Sequence, residues 1–219
     1  MESFHKSIWD SYETEGEWWQ MIAVRISGRR ACYTRPENKV ERMTYPVITP
    51  SAAQGALGSV YTKPQMLWKI TRIHVLAPIR YENWMSNEIN HTRPLDISDE
   101  RTQRRSRILR DVDYIIEAKA FSLNADEPAK HESIFNRRLL KGDYHHQPCL
   151  GLSQYHADVK PVDDIPASPL IGEYELGTMF HSQNWGSGDR RFFECVMVDG
   201  VIDIPDLWGH CNELRATCQ

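Results

Sequence analysis

The sequence predicts an α+β fold in which an antiparallel sheet carries two helices on one face. Two patterns indicate it. Runs of alternating apolar residues, typical of strands, are separated twice by segments with the start and stop signals of helices. Their order along the chain is β-α-β-β-α-β, which is that of the ferredoxin-like (RRM-like) split βαβ motif. Such a sheet keeps one face free of helices, the face with which RNA-recognition modules bind.

The four strands are predicted at residues 18–27, 66–77, 111–122 and 149–160. Gly28 is expected to interrupt the first strand. The second strand is partly apolar on both faces, as expected for a central position in the sheet. Residues 29–48 and 78–106 are rich in polar and basic side chains, and we expect them to be irregular.

The first helix is expected to run from Ser51 to about Tyr61, because the residue before Pro64 is disfavoured in helical backbone. Thr49 or Ser51 is a suitable N-cap, and Ser51 with Gln54 has the spacing of a capping box. The body of this helix is rich in Ala and Gly. That composition predicts that another part of the chain packs closely against it.

The second helix is predicted between Pro128 and Lys141. Proline suits a first turn, because the amide that it lacks would have no partner there, and Gly142 suits a left-handed C-terminal cap. Lys130 and His131 then lie in the first turn, where free amides and the helix dipole favour an anion. A cation and a proton-transfer group at this position predict a phosphate site.

A structural interpretation competes with the functional one. His131, Phe135 and Leu139 have i, i+4, i+8 spacing, so His131 can be the polar edge of a core stripe. Tyr61 can likewise be a core residue whose hydroxyl lies at the rim. In the functional interpretation, the helix dipole keeps His131 neutral, as a base for a ribose 2′-hydroxyl, and Lys130 stabilises charge on phosphorus.

The C-terminal part is expected to form a small antiparallel β-sheet over about residues 170–206. The segment FFECVMVDGVIDIP has the pattern of a hairpin with a Val-Asp-Gly turn. The predicted divisions of the chain are an N-terminal extension (1–16), the ferredoxin-like domain (17–160) and a β-rich C-terminal subdomain with its tail (161–219).

The net charge of −4 hides a basic middle part. Residues 18–157 contain 21 Lys and Arg against 14 Asp and Glu, whereas residues 158–206 contain three against ten. A clustered excess of cations is typical of proteins that bind a polyanion. There is no apolar run long enough for a membrane span and no signal peptide pattern, and the five cysteines are scattered. We therefore expect a cytoplasmic protein.

No metal or cofactor is predicted. His145, His146, Cys149 and His156 match no standard zinc spacing, and no acidic pair lies nearby to hold magnesium. A flexible loop whose imidazoles contact bases or phosphates is the better interpretation, and phosphate-binding glycine motifs are lacking.

Longer stretches of the chain resemble a known family. The run TRPENKVERMTYPVITPSAAQGALGSVYTKPQMLWKITRIHVLAPIRYENWMSNEI, and later RILRDVDYIIEAKAF and AKHESIFNRRLLKGDYHHQPCLG, are similar to the CRISPR-associated Cas-five family in its type I-C (Dvulg) branch. The resemblance covers about residues 20–156. It implies a fold of the RAMP superfamily and a metal-independent endoribonuclease that cuts the CRISPR precursor transcript within each repeat.

The resemblance also implies site residues and partners. The family's catalytic trio corresponds to Tyr61 in SVYTKP and to Lys130 and His131 in AKHESIF. The expected partners are the repeat RNA, the 5′ handle of the mature guide RNA, and the backbone and large subunits of the Cascade complex, with target DNA contacted indirectly and no membrane. The alternative is a Cascade subunit that caps the 5′ end of the guide without cutting; an unrelated RNA-recognition module is a third possibility. The residues expected to bind RNA are Arg29, Arg30, Arg35, Lys39, Arg42, Lys63, Arg137, Arg138, Lys141 and His145.

Overall fold

The structure is a computed structural model that describes residues 21–38, 40–64, 66–89, 101–122, 128–184 and 187–208. The predicted N-terminal extension lies outside these residues. The described elements, in chain order, are β1 Met21–Ala31, α1 Pro50–Val60, β2 Met66–Val75, β3 Tyr81–Ile89, β4 Arg101–Ser122, α2 Pro128–Lys141, β5 Asp158–Pro161, β6 Glu173–Gln183, β7 Arg190–Val198 and β8 Val201–Asp203.

The named strands form one antiparallel sheet with the order β5-β1-β4-β2-β8-β7-β6, and β3 pairs with β4 away from this row. The part β5-β1-β4-β2, with the two helices, is the split βαβ arrangement that the sequence predicts. The α+β fold class is therefore confirmed. The C-terminal strands are antiparallel, as predicted, and they continue the same sheet because β8 pairs with β2.

The core lies between this sheet and the two helices. Helix α1 packs against β2 and β6, helix α2 packs against β4 and β5, and the helices also contact each other. Phe135 of α2 is fully buried and meets the Trp68 ring of β2 edge to face, with 4.9 Å between the ring centroids. Burial of such a side chain contributes about 1.5–3 kcal/mol. This packing fixes the position of α2 over the sheet.

Strand β1 does not stop at Gly28, so that prediction is wrong. The strand continues to Ala31. A Cβ atom on Gly28 would lie 2.4 Å from Cδ1 of Leu150 and 3.0 Å from the His156 carbonyl oxygen. The glycine is thus required by the close approach of a loop, and not by a break in the strand.

The prediction that residues 78–106 are irregular is also wrong. Most of them form β3 and the first half of β4, a two-stranded ribbon that extends from the sheet. Asp111, with φ of 52°, separates this half of β4 from the half that pairs with β2 and with most of β1. The ribbon lacks a regular apolar face because much of it is exposed, Met85 by 54% for example.

The fourth predicted strand is shorter than expected. Of residues 149–160, only those from Asp158 onward belong to β5, and the preceding loop is closed by a bridge between Cys149 and His156. The predicted Val-Asp-Gly turn joins β7 and β8, and Asp199 and Gly200 there have φ of 49° and 76°. Positive φ at both positions is the requirement of a tight hairpin turn.

Helix α1 begins one residue earlier than predicted, at Pro50, and Thr49 is its N-cap. The Thr49 hydroxyl accepts a hydrogen bond from the Ala52 amide at 3.2 Å. The predicted capping box of Ser51 and Gln54 is wrong, since the side-chain amide of Gln54 instead donates from Nε2 to the Trp68 carbonyl at 3.2 Å. Close packing on the small residues is found at the buried Ala53 and Ala56.

The two glycines of α1 differ from that expectation. A Cβ atom on Gly55 or on Gly58 would meet nothing within 4 Å, so no described part of the chain packs closely on either residue. Both glycines lie on an open side of the helix. This side borders a cleft that also includes Thr62 and Gln183.

Helix α2 has both predicted ends. It runs from Pro128 to Lys141, and Gly142 follows with φ of +66°. The Gly142 amide donates to the Leu139 carbonyl at 3.2 Å and the Asp143 amide to the Arg138 carbonyl at 3.0 Å, the pattern of a Schellman cap.

Candidate active site

Tyr61 and His131 meet between the two helices. The Tyr61 hydroxyl lies 3.0 Å from Nδ1 of His131, a hydrogen-bond distance, and the ring centroids are 6.0 Å apart. Tyr61 is 3% exposed and His131 is 5% exposed. The start of the second helix and the end of the first therefore do come together, as the split βαβ arrangement allows.

The backbone of Tyr61 is held from two sides. Its amide donates to the Leu57 carbonyl at 3.1 Å, which closes the last turn of α1, and its own carbonyl accepts from the Trp68 indole at 2.9 Å. The residue itself is extended, with φ of −155° and ψ of 128°. Helix α1 thus ends where its terminal side chain turns toward α2.

The predicted core stripe on α2 is confirmed. His131, Phe135 and Leu139 are all buried, and His131 is the polar member at the N-terminal end of the stripe. The burial of His131 therefore agrees with the structural interpretation and does not conflict with the functional one. Burial fixes the imidazole, and its Nδ1 is oriented by the tyrosine hydroxyl.

Lys130 precedes this pair and is exposed. Along α2 it shares a stripe with Arg137 and Lys141, at i, i+7 and i+11, and both of these are exposed as well. Lys63, just beyond the end of α1, is also exposed. The exposed cations therefore form a row that runs from the beginning of α2 to its C-terminal end.

Arg138, which was predicted to bind RNA, contacts Tyr61 itself. Its guanidinium carbon lies 5.5 Å from the centroid of the Tyr61 ring, and its Nη1 is 3.5 Å from the Val60 carbonyl. A cation over the ring face is attracted by the π electrons. Arg138 thus connects α2 to the end of α1.

The histidine-rich loop after α2 returns to the same end of α1. The His146 amide donates to the Ser59 carbonyl at 3.0 Å, and the rings of His145 and His146 stack with 4.2 Å between centroids. Both side chains are exposed. His145 is therefore available for contact with a ligand.

The other predicted RNA-binding residues lie far from this site. Trp68, which contacts Tyr61, is opposite Ala120 in the sheet, whereas Arg30 is opposite Arg110. Ten residues of strand at about 3.3 Å each give a separation on the order of 30 Å. Arg29 and Arg30 lie near the end of β1, Arg35 and Arg42 follow in the adjoining loop, and Lys39 lies outside the described residues.

Sequence analysis missed Glu132, which directly follows His131. Its side chain is 2% exposed, and neither carboxyl oxygen has a hydrogen-bond partner among the described residues. Burial raises the pKa of Glu132 to about 8, and the nearby Ala120 backbone, which does not reach hydrogen-bond geometry with the carboxyl group, lowers the pKa only in part. The sequence did hold a signal for this burial: Glu132 has i, i+3, i+7 spacing with Phe135 and Leu139, which places it on the same face of the helix.

Among the described residues, no three His, Cys, Asp or Glu side chains are grouped so that they could hold a metal ion. No helix in the same part of the chain is long and apolar enough to cross a membrane.

The fold and the matched sequence define the chain as a CRISPR-associated protein of the Cas5 family, to which it belongs. The sequence profile of that family in its Cas5d form, described as CRISPR-associated protein (Cas_Cas5), matches residues 21–204. The family predicted from sequence is therefore confirmed.

Two relatives carry the name CRISPR pre-crRNA endoribonuclease Cas5d. The protein of Mannheimia succiniciproducens is 38% identical over 215 residues, which cover 85% of this chain and 96% of the relative. That of Thermus thermophilus is 39% identical over 164 residues, 72% of this chain and 71% of the relative. A solved structure titled Crystal Structure of CRISPR-associated Protein has a TM-score of 0.67 at 26% identity, and covers 87% of this chain and 94% of that one.

Proposed function

We propose that this protein is an endoribonuclease that cuts CRISPR precursor RNA within each repeat. The observation that supports the proposal most strongly is the hydrogen bond between Tyr61 and His131 at the start of α2, next to the exposed Lys130. These are the three positions that the family resemblance assigns to catalysis. The proposal agrees with the names of the two relatives, both of which are called pre-crRNA endoribonucleases.

The proposed reaction needs only the RNA and side chains of the protein. The 2′-hydroxyl upstream of the scissile bond loses its proton and attacks the adjacent phosphorus, and the bond from phosphorus to the 5′-oxygen breaks. The products are a 2′,3′-cyclic phosphate and a 5′-hydroxyl, so the proton that leaves the 2′-oxygen is balanced by one delivered to the 5′-oxygen. No metal ion has a role in this scheme.

Each member of the trio has a distinct part in it. His131 transfers the proton, with an imidazole whose orientation is fixed by the hydrogen bond to Tyr61. Lys130 stabilises the charge that develops on the pentacoordinate phosphate, together with the positive end of the helix dipole. Tyr61 positions His131 and polarises the 2′-hydroxyl.

After cleavage, we propose that the protein keeps the 5′ handle of the guide RNA and acts as a subunit of Cascade in antiviral defence. The exposed cations Arg137 and Lys141 continue the stripe of Lys130 along α2, Lys63 lies just beyond the end of α1, and His145 lies in the loop after α2; together they suit a polyanion. The backbone and large subunits are the proposed protein partners, target DNA is contacted through the assembled complex, and the cytoplasm is the proposed compartment.

The rival function is a Cascade subunit that caps the guide RNA without cutting it. In that case Tyr61 and His131 form a structural hydrogen bond between two helices, as their burial also permits. What favours the enzyme is the presence of all three trio positions, including Lys130, whose exposure gives it no packing role.

One assay separates the two functions. The protein is incubated in EDTA with its repeat RNA, and in parallel with a copy that has a 2′-deoxy sugar at the scissile nucleotide. We expect cleavage of the first RNA and not of the second, because the attacking hydroxyl is missing. A native repeat that binds and stays uncut would leave only the capping role, and cleavage of the deoxy copy would contradict the proposed mechanism.

A further inference from the structure

A second cleft, of about 460 Å³, lies at the end of β1 that is remote from Tyr61 and His131. Its lining joins cationic, aromatic and hydrogen-bonding side chains from three parts of the chain: Arg29, Arg30, Trp84, Gln154, Tyr155 and His156. The proposed cleavage reaction uses none of these residues. The cleft is therefore a separate feature of the fold.

One wall of the cleft is held rigidly against β1. The Cys32 amide donates to the Leu150 carbonyl at 3.0 Å, which ties the loop that follows to the end of the strand. Gly28 lies against this loop, and a Cβ atom on Gly151 would lie 2.1 Å from the Cys32 carbonyl oxygen. Because only glycine permits these approaches, the wall is built into the backbone.

Arg30 is fixed within the cleft by two contacts. Its Nε and Nη2 donate to the two carboxylate oxygens of Glu82 at 3.1 and 2.9 Å, and its guanidinium carbon lies 4.2 Å from the centroid of the Trp84 ring. The ion pair lowers the pKa of Glu82, so this carboxylate stays charged. The result is a planar cation held beside an indole before any ligand binds.

The surroundings of this pair remain positive. Arg29 and Arg110 lie near enough to act on the charge of Glu82, and both also act on Asp111, as does Arg80. Four guanidinium groups thus face two carboxylates. Arg29 is exposed and forms no ion pair within the part of the chain that the structure describes.

We infer that this cleft binds one unpaired nucleotide of the RNA. Single-stranded RNA is recognised by bases that stack on aromatic side chains or on guanidinium planes, and its phosphates are bound by cations. The base would stack on the pair formed by Arg30 and Trp84, and the phosphate would contact Arg29. Gln154 and His156 supply groups that can bond to the edge of the base.

This inference rests on the proposed function and extends it. The separation on the order of 30 Å between cleft and cleavage site, estimated from the rise per strand residue, means that the bound nucleotide is not the scissile one. It acts as a second anchor that sets how the repeat lies on the protein. The alternative is an ion pair between Arg30 and Glu82 that only attaches the β3–β4 ribbon to β1.

The test uses repeat RNA with a 2′-deoxy sugar at the scissile nucleotide, so that binding is measured without cleavage. One abasic site is placed at each unpaired position in turn. We expect one position at which the abasic site weakens binding to the wild-type protein by about tenfold, the effect of one lost stacking contact. Arg30→Lys keeps the charge and removes the guanidinium plane, so it should abolish the sensitivity to that position.

A second measurement addresses the phosphate contact. Arg29→Ala is expected to reduce the slope of log affinity against log salt concentration by about 0.7, the value for one phosphate contact on a single strand. Arg190→Ala is the matched control, since it removes an exposed cation from β7, which three strands separate from β1 in the sheet, and should leave the slope unchanged.

The outcomes separate this inference from the proposed function. Suppose that the wild-type protein cuts the unmodified repeat, but that Arg30→Lys changes the effect of no abasic site on binding. The cleft is then not a nucleotide site, and the proposed function stands. The same holds if the salt slope is equal for Arg29→Ala and Arg190→Ala. If the wild-type protein does not bind the repeat at all, both proposals are wrong. Should Arg30→Lys fail to fold, His156→Ala, at an exposed position, replaces it in the abasic comparison.

Discussion

The buried carboxyl of Glu132 is expected to make the stability of this protein depend on pH. The pKa of Glu132 is raised from 4.5 in the unfolded chain to about 8 in the folded protein. Between these two values the folded state binds a proton that the unfolded state has released. Stability is therefore highest at low pH with respect to this group, falls as the pH rises from about 4.5, and levels off above about 8.

The magnitude follows from the size of the shift. Each unit of difference in pKa corresponds to about 1.4 kcal/mol, so the whole shift amounts to a loss on the order of 5 kcal/mol in the free energy of unfolding. Glu132→Gln keeps the shape of the side chain and cannot ionise. The variant should therefore become more stable relative to the wild type as pH rises, and its advantage should be complete above pH 8.

Urea unfolding at pH 5, 6, 7, 8 and 9 measures this directly. Glu175→Gln, at an exposed position of β6, is the matched control and should show no such trend. If the difference in unfolding free energy between Glu132→Gln and the wild type is the same at every pH, Glu132 is not a buried carboxyl of raised pKa, and the reasoning from its burial is refuted.

Three further substitutions have defined outcomes. Tyr61→Phe removes the hydroxyl that bonds to His131, so it should cost about 1–2 kcal/mol in unfolding free energy and slow cleavage about a hundredfold or more; an unchanged cleavage rate would argue against a catalytic pair. Lys130→Gln, at an exposed position, should leave the unfolding free energy within about 0.5 kcal/mol while the cleavage rate falls about a hundredfold, and a parallel loss of both would contradict its role. Gly151→Ala should lower the unfolding free energy by more than Gly142→Ala, for which roughly 1–3 kcal/mol is expected. Both glycines have positive φ, but only Gly151 lacks room for a Cβ atom. Equal melting temperatures of the two variants would show that the loop around Gly151 adjusts.

Helix α2 was predictable at both ends because its boundaries depend on local chemistry. Pro128 and Gly142 act within one turn of the helix, and no distant residue is needed to explain either. The contact between Tyr61 and His131 was only partly predictable. The order of the elements allows the two helices to adjoin, but the 3.0 Å distance depends on the packing of Phe135 against Trp68.

The features that sequence reasoning missed depend on contacts far apart in the chain. Gly28 looks like a break in a strand, and only the approach of the loop at Leu150 gives it another reason. Strand β3 has no clear alternation because, among the described strands, it pairs only with β4, so no apolar face is required of it. Trp84 lies on that strand, and its place in the second cleft could not be inferred without the pairing.

His131 is the group that transfers the proton in the proposed reaction. Its most direct test compares the wild type with His131→Ala in two measurements, single-turnover cleavage of the unmodified repeat and affinity for the repeat with a 2′-deoxy sugar at the scissile nucleotide, with thermal melting as the check that the variant is folded. We predict that cleavage is abolished while the affinity stays within a few-fold of the wild type. Cleavage that persists, or an affinity that collapses together with cleavage in a folded variant, would contradict the catalytic role and leave His131 as a structural residue.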